Sequence, residues 1–123
     1  MLLYHSEIDS VEICVTSKEF RIKEIIGYIN ENIEYPITLK ELASHFYLST
    51  PYMCRLFKSA TGTTIHQYIS ECRIIHAKNL LLAGYSAADT CARCGFNEYS
   101  NFYKSFTRSV GVSPSRFINH NHR

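Results

Sequence analysis

Apolar residues recur every three or four positions through most of the chain, the period of helices with a buried stripe. Ile22, Ile25, Ile26, Ile29 and Ile33 form the first stripe, and Thr16-x-x-Glu19 has the spacing of a capping box. This predicts a helix over residues 18–33, stopped by Pro36. Upstream, Val11, Ile13 and Val15 alternate as in a short strand, so residues 1–17 read as an arm or linker. Thr38-x-x-Glu41 then caps a short helix with Leu39, Leu42 and Ala43 inward. Phe46-Tyr47-Leu48 makes a turn. Ser49 or Thr50 caps the next helix, with Pro51 in its first turn, where a missing N–H costs little. That helix runs to about residue 60 and stops at Gly62.

A long helix is expected over about residues 64–83, ending at Gly84. Ile65, Tyr68, Ile69, Cys72 and Leu80 form one face, and Ile74, Ala77 and Leu81 another. A helix apolar on two sides must pack against structure on both. Beyond it, Ser86-x-x-Asp89 repeats the capping pattern. A short helix runs to Arg93, a turn contains Gly95, and a helix covers about Glu98 to Ser109. Gly111 stops it, and Ser113 with Pro114 opens a last short helix.

The second half repeats the first. At an offset of 49, Met53 meets Phe102, Arg55 meets Lys104, Phe57 meets Phe106, Gly62 meets Gly111 and Tyr68 meets Phe117. Upstream of the turn the offset is 48, so the second turn holds one extra residue. Each copy is a short helix, a turn and a second helix with a cation just past its middle, which is a helix-turn-helix pattern. The expected fold is therefore all-α, about seven helices, with two homeodomain-like units over about 38–60 and 86–109. The joining helix would be roughly 28 Å long at ~1.5 Å per residue. Successive major grooves on one face of B-DNA lie ~34 Å apart. A rod of that size suits two reading helices in adjacent grooves of one duplex, without a dimer.

Charge sharpens this picture. The 123 residues carry a net +2, but unevenly. Residues 1–48 hold four basic side chains against eight acidic ones, a net of −4; residues 49–123 hold nine against three, a net of +6. A basic C-terminal half suits a polyanion. No apolar run is longer than that of Leu80-Leu81-Leu82-Ala83, far short of a membrane span, which takes about 20 residues. No early apolar stretch reads as a signal peptide, so an intracellular, cytoplasmic protein is expected. The five cysteines are an odd number. Cys91-x-x-Cys94 lacks a second pair at metal spacing and reads as core packing. No carboxylate pair, Ser/His/Asp set or phosphate-cradling glycine loop points to an enzyme, and neither a metal nor a cofactor is expected.

These residues resemble the DNA-binding domain of the AraC/XylS family of bacterial transcription regulators. Thr38 to Ala43 resembles the first helix of the family's first unit, and Ser49 to Lys58 its first recognition helix. Arg73, Ala77 and Leu80-Leu81 fit the linker helix. Gly95-Phe96, Ser100, Phe102 and Phe106 resemble the second unit, and Gly111-x-Ser-Pro114-x-x-Phe117 its closing signature. The likeness spans about residues 20–119 and places the domain at 18–123. Two departures stand out. Ala87-Ala88-Asp89-Thr90-Cys91 replaces the usual Ile-x-Glu-Ile-Ala, burying fewer methylenes. Ile118 stands where an arginine usually follows the last aromatic.

The resemblance implies a sequence-specific regulator of double-stranded DNA, an activator that touches RNA polymerase and acts at the nucleoid. Pro51, Tyr52, Cys54 and Arg55 on the first reading helix are candidate base contacts, with Tyr99, Ser100, Asn101, Tyr103 and Lys104 on the second. Arg55 suits guanine, whose O6 and N7 match its planar fork; Asn101 suits adenine through its amide. Lys58, Thr107 and Arg108 are candidate phosphate contacts, as are the helix starts at Thr38 and Ser86. Arg73 either meets a phosphate or pairs internally. The competing reading is a helical protein-interaction module that binds no DNA. Only about 17 residues precede the first predicted helix, so the chain reads either as a stand-alone unit, monomeric on DNA, or as the C-terminal piece of a longer regulator.

Overall fold

The computed structural model describes residues 10–121, with side chains from 17 to 119. Seven helices and no strand occur among them: α1 (Ser10–Glu31), α2 (Leu39–His45), α3 (Thr50–Thr61), α4 (Ile65–Leu82), α5 (Ala87–Arg93), α6 (Tyr99–Val110) and α7 (Pro114–Asn121). The all-α expectation holds.

Local sequence sets most of the boundaries. Thr38 caps α2 by accepting the Glu41 N–H at 3.1 Å. Ser49, not Thr50, caps α3, accepting from the Tyr52 N–H at 3.3 Å. Thr64 and Gln67 form a complete capping box on α4. Ser86 caps α5 through the Asp89 N–H, and Ser113 receives the Arg116 N–H at the start of α7. Each such cap contributes about 1 kcal/mol by satisfying a donor the helix leaves open.

The first helix departs from expectation at both ends. It begins at Ser10, so Thr16 and Glu19 lie inside it and no strand occupies residues 10–15. Val11 and Val15 are also four apart, a spacing that a helix accommodates. The remainder of the expected arm, residues 1–9, lies outside the described residues. At its other end α1 stops at Glu31, five residues before Pro36. There the Asn32 side-chain amide donates to the Tyr28 carbonyl at 2.8 Å, closing the last turn.

Two separate cores follow. The first gathers Ile22, Ile25 and Ile29 of α1, Leu42 and Ala43 of α2, Met53 and Phe57 of α3, and Ile65 and Ile69 of α4. The second gathers Ile74, Ala77 and Leu81 of α4 with Cys91, Cys94, Phe102 and Phe106. Helix α4 thus lends its first half to one core and its second half to the other. From Ile69 to Ile74 the helix turns about 140° at ~100° per residue, so its two apolar faces look in different directions. This is the two-sided pattern read from the sequence. Tyr68, Cys72 and Leu80 of the expected faces are only half-buried, Tyr68 packing against the edge of the first core.

The turns differ by one residue, as the shifted offset requires. Four residues join α2 to α3, and five join α5 to α6. Cys91 and Cys94 are buried in the second core, and burial pushes the Cys94 thiol up to about 12. They act as small apolar fillers. Thr90 is fully buried beside them, and its hydroxyl has no hydrogen-bond partner. Its counterpart in the first core is Leu42. An unsatisfied buried hydroxyl destabilises. Replacing it isosterically, Thr90→Val should raise stability by about 1 kcal/mol, read from the midpoint of chemical denaturation. A loss of stability would mean that the hydroxyl is bonded.

Candidate nucleic-acid interface

Helices α3 and α6 are equivalent elements of the two units, and both have 12 residues. Each ends on a left-handed glycine whose N–H returns to a carbonyl four residues back: Gly62 to Lys58, and Gly111 to Thr107. Each sinks two large side chains into its own core, Met53 and Phe57 in α3, Phe102 and Phe106 in α6. The opposite sides are exposed. Pro51, Arg55 and Lys58 stand there on α3; Ser100, Lys104 and Arg108 stand there on α6. Neither helix contains an aspartate or glutamate. Two outward cations on each, unneutralised within the helix, make two matching electropositive faces.

The remaining expected base contacts sit around these faces. Tyr52 is exposed beside Arg55, and Asn101 beside Ser100. Tyr99 and Tyr103 are exposed too, and their rings lie 6.4 Å apart. Tyr99 also meets the buried Phe102 edge-on at 5.7 Å. The second core thus continues outward as an aromatic surface next to Lys104. Cys54 is half-buried against the first core, which leaves part of its surface outward.

The expected backbone contacts fare unevenly. Lys58 and Arg108 are exposed, and Arg108 lines a cleft of about 420 Å³ between α4 and α6 with His66 and Glu71. Thr107 does not reach the surface in the expected way: its Oγ1 is buried and unbonded. Thr38 and Ser86 are exposed, but their hydroxyl oxygens already accept from their own helices. Arg73 turns inward. Its Nε donates to the Ile33 carbonyl at 3.1 Å and its Nη2 to the Tyr35 carbonyl at 2.9 Å. Of the two readings left open for it, the structure selects an internal partner, though a pair of carbonyls rather than a carboxylate.

Sequence reasoning passed over one pair of cations. Lys18 and Arg21 of α1 share a small cleft with Leu48, Tyr52 and Leu56 at the flank of α3. Arg21 also donates to the Phe46 carbonyl at 3.3 Å, tying α1 to the turn before α3. The −4 of the first 48 residues hid them. Their spacing of three on one helix was the available signal.

Residues 42–120 match the family model for a helix-turn-helix domain, and over 100 residues the chain is 32% identical to the melibiose operon regulatory protein of Escherichia coli K12. The chain belongs to the AraC/XylS family. A second AraC/XylS relative is the transcriptional activator RhaR of Cronobacter sakazakii, 32% identical over 91 residues. These alignments cover 80% and 73% of this chain. The chain spans about a third of the length of either relative, 33% and 32% respectively. Among solved structures, the C-terminal domain of AraT, a response regulator of Geobacillus stearothermophilus, superposes with a TM-score of 0.79 at 22% identity, covering 81% of this chain and 84% of that one. It shares the fold. The DNA-binding domain of AdpA, a global transcriptional factor solved with a target DNA, superposes with a TM-score of 0.77 at 27% identity, covering 80% and 90%. The AraC/XylS fold of paired helix-turn-helix units on one linker helix is therefore the fold of this chain. None of its described helices is long and apolar enough to cross a membrane.

Proposed function

We propose that this domain binds double-stranded DNA by laying α3 and α6 in successive major grooves, and that it activates transcription. One observation carries the reading: two equivalent helices, fixed to one continuous helix, each turn a carboxylate-free face with two cations outward. Helix α4 has 18 residues, hence ~27 Å of length at ~1.5 Å each, comparable with the ~34 Å between successive grooves. The AdpA domain, solved on its DNA, and the regulators named above support the reading. A single chain with two reading helices needs no second copy to hold a two-box site. RNA polymerase is the further partner of an activator of this kind, and the protein acts in the cytoplasm at the nucleoid. It is not an enzyme.

Contacts divide into those that read and those that position. Arg55 reads guanine through its fork, and Asn101 reads adenine. Pro51, Tyr52, Ser100, Tyr99, Tyr103 and Lys104 complete the reading faces, with the outward part of Cys54. Lys58 and Arg108 meet phosphates, and Lys18 adds a cation beside α3. A selection of bound sequences from random duplex tests the reading. Two boxes with centres about 10 base pairs apart are expected. Absence of any salt-dependent binding would favour a protein-interaction module instead.

Two substitutions separate the roles. Arg55→Ala should weaken binding to the selected site by about 1–3 kcal/mol and relax preference at one base pair. Lys58→Ala should lower affinity for all sequences alike and reduce the salt slope by about 1. A footprinting titration in which Arg55→Ala changes neither affinity nor preference removes Arg55 from the reading set.

A further inference from the structure

The inward-turned Arg73 occupies a singular place on α4. It lies one turn after Ile69, which is buried in the first core, and one turn before Ala77, which is buried in the second. Its guanidinium is half-buried, and this burial lowers its pKa from the ordinary arginine value. Both carbonyls it holds, those of Ile33 and Tyr35, belong to the segment between α1 and α2, in the first unit. The turn of the second unit lies against the same bond. A Cβ on Gly95 would stand 2.8 Å from Arg73 Nε and 2.5 Å from the Ile33 carbonyl oxygen. The linker helix, the first unit's loop and the second unit's turn therefore converge on one side chain. Three residues further along α4, His76 Nε2 lies 3.5 Å from Glu34 of the same loop.

An ammonium there would attract the carbonyls without fixing a direction. A guanidinium is planar, with its N–H bonds set in a fork, so two bonds to successive stretches of one loop define an orientation. The two cores share no buried residue, and beside Arg73 the second unit's Gly95 packs directly against the Ile33 carbonyl of the first unit's loop. We propose that Arg73 is a positioning residue: it fixes the angle between the two helix-turn-helix units and so sets the separation of the base pairs they read. The first half of this inference stands on geometry alone; the second rests on the DNA-binding function proposed above. Two linked modules gain affinity from one another only when both can engage at once, so a loose angle would cost the bivalent gain and spare each single contact.

The test uses two readouts on the full chain. Nitroxides are placed at the exposed positions Ser44 on α2 and Ala92 on α5 through non-cysteine chemistry, because the chain has five thiols of its own. Pulsed electron resonance then gives the distance distribution between units. It should be narrow in the parent chain, broadened or displaced in Arg73→Met, and intermediate in Arg73→Lys, which can keep one of the two bonds. In parallel, affinity is measured for a single box and for two boxes at the preferred separation and one base pair either side. The parent chain should lose about tenfold off the optimum. Arg73→Met should flatten that dependence and weaken binding at the optimum by about tenfold, with single-box affinity unchanged. Should Arg73→Met fail to fold by circular dichroism, Arg73→Lys carries both measurements. An unaltered distance distribution overturns the proposal. So does an equal loss on one-box and two-box duplexes, which would mark a purely structural role. Failure of the parent chain to bind any duplex overturns the functional reading instead, and the distances still decide whether Arg73 holds the angle.

Discussion

Phe106→Ala is expected to unfold the second helix-turn-helix unit while the first remains standing. Phe106 is fully buried, with ring neighbours Phe102 at 5.7 Å and Phe117 at 5.5 Å. Truncating such a side chain costs about 3–5 kcal/mol, the lost transfer energy plus the cavity left behind. The second core is less able to absorb that loss than the first. It holds two cysteines and an unsatisfied threonine where the first holds leucine, alanine and a row of isoleucines. The loss should also stay local, because no buried residue belongs to both cores. Helix α4 would fray from Ile74 onward and keep its first half, anchored by Ile65 and Ile69. Hydrogen exchange read segment by segment is the measurement. Amides of α5, α6 and α7 should lose protection, and those of α2 and α3 should keep it. Uniform loss along the chain would show that the two cores unfold as one.

Much of this architecture could be read from the chain because its signals are local. A side chain that accepts an N–H three residues on leaves a short-range mark, so Thr38, Thr64, Ser86 and Ser113 flagged helix starts correctly and Ser49 was one of two candidates for its helix, whereas the same spacing at Thr16 and Glu19 lies inside α1. The duplication was equally visible, since Phe57 and Phe106 do the same work in equivalent helices. What escaped was set by distant contacts or by ambiguous spacing. Val11, Ile13 and Val15 fit an alternating pattern, while Val11 and Val15 also fit a helical one, and nothing nearby chooses between them. The end of α1 at Glu31 leaves the next residues free to present the Ile33 and Tyr35 carbonyls to Arg73, forty residues away in the case of Ile33. That demand has no local signature.

The candidate interface divides in the same way. Outward positions on α3 and α6 follow from helical periodicity once the buried partners are known, so Arg55, Lys58, Ser100 and Lys104 are exposed as expected. Thr107 and Arg73 differ because periodicity gives direction and not surroundings. Thr107 is the counterpart of Lys58, yet its hydroxyl is buried. A charged residue on a linker helix has the same appearance in sequence whether it faces phosphate or a neighbouring loop. Only the packing of the first unit's loop and the second unit's turn around Arg73 separates the two cases.

Gly95→Ala tests that packing from the opposite side. The turns after α2 and α5 are built alike: the Leu48 N–H returns to the Ala43 carbonyl at 2.9 Å, and the Phe96 N–H to the Cys91 carbonyl at 3.3 Å. Both place the residue in between in the left-handed region, Tyr47 at φ 58° and Gly95 at φ 88°. The first unit tolerates a tyrosine there, 94% exposed, with only the conformational cost of about 1 kcal/mol. At Gly95 that cost would be joined by a collision. The added methyl would meet a backbone oxygen of Ile33 at 2.5 Å, which no side-chain rotation can relieve. Overpacking of this kind adds about 1–3 kcal/mol, so Gly95→Ala should destabilise by about 2–4 kcal/mol in all. The Arg73 share of the collision can be isolated in a double-mutant cycle with Arg73→Ala. Removing the guanidinium relieves the contact at Nε and leaves the one at Ile33, so the pair should cost less than the sum of the singles. A Gly95→Ala cost of only about 1 kcal/mol would equal the conformational term alone. The second unit's turn would then not press on the first unit's loop, and the seam between the units would be open.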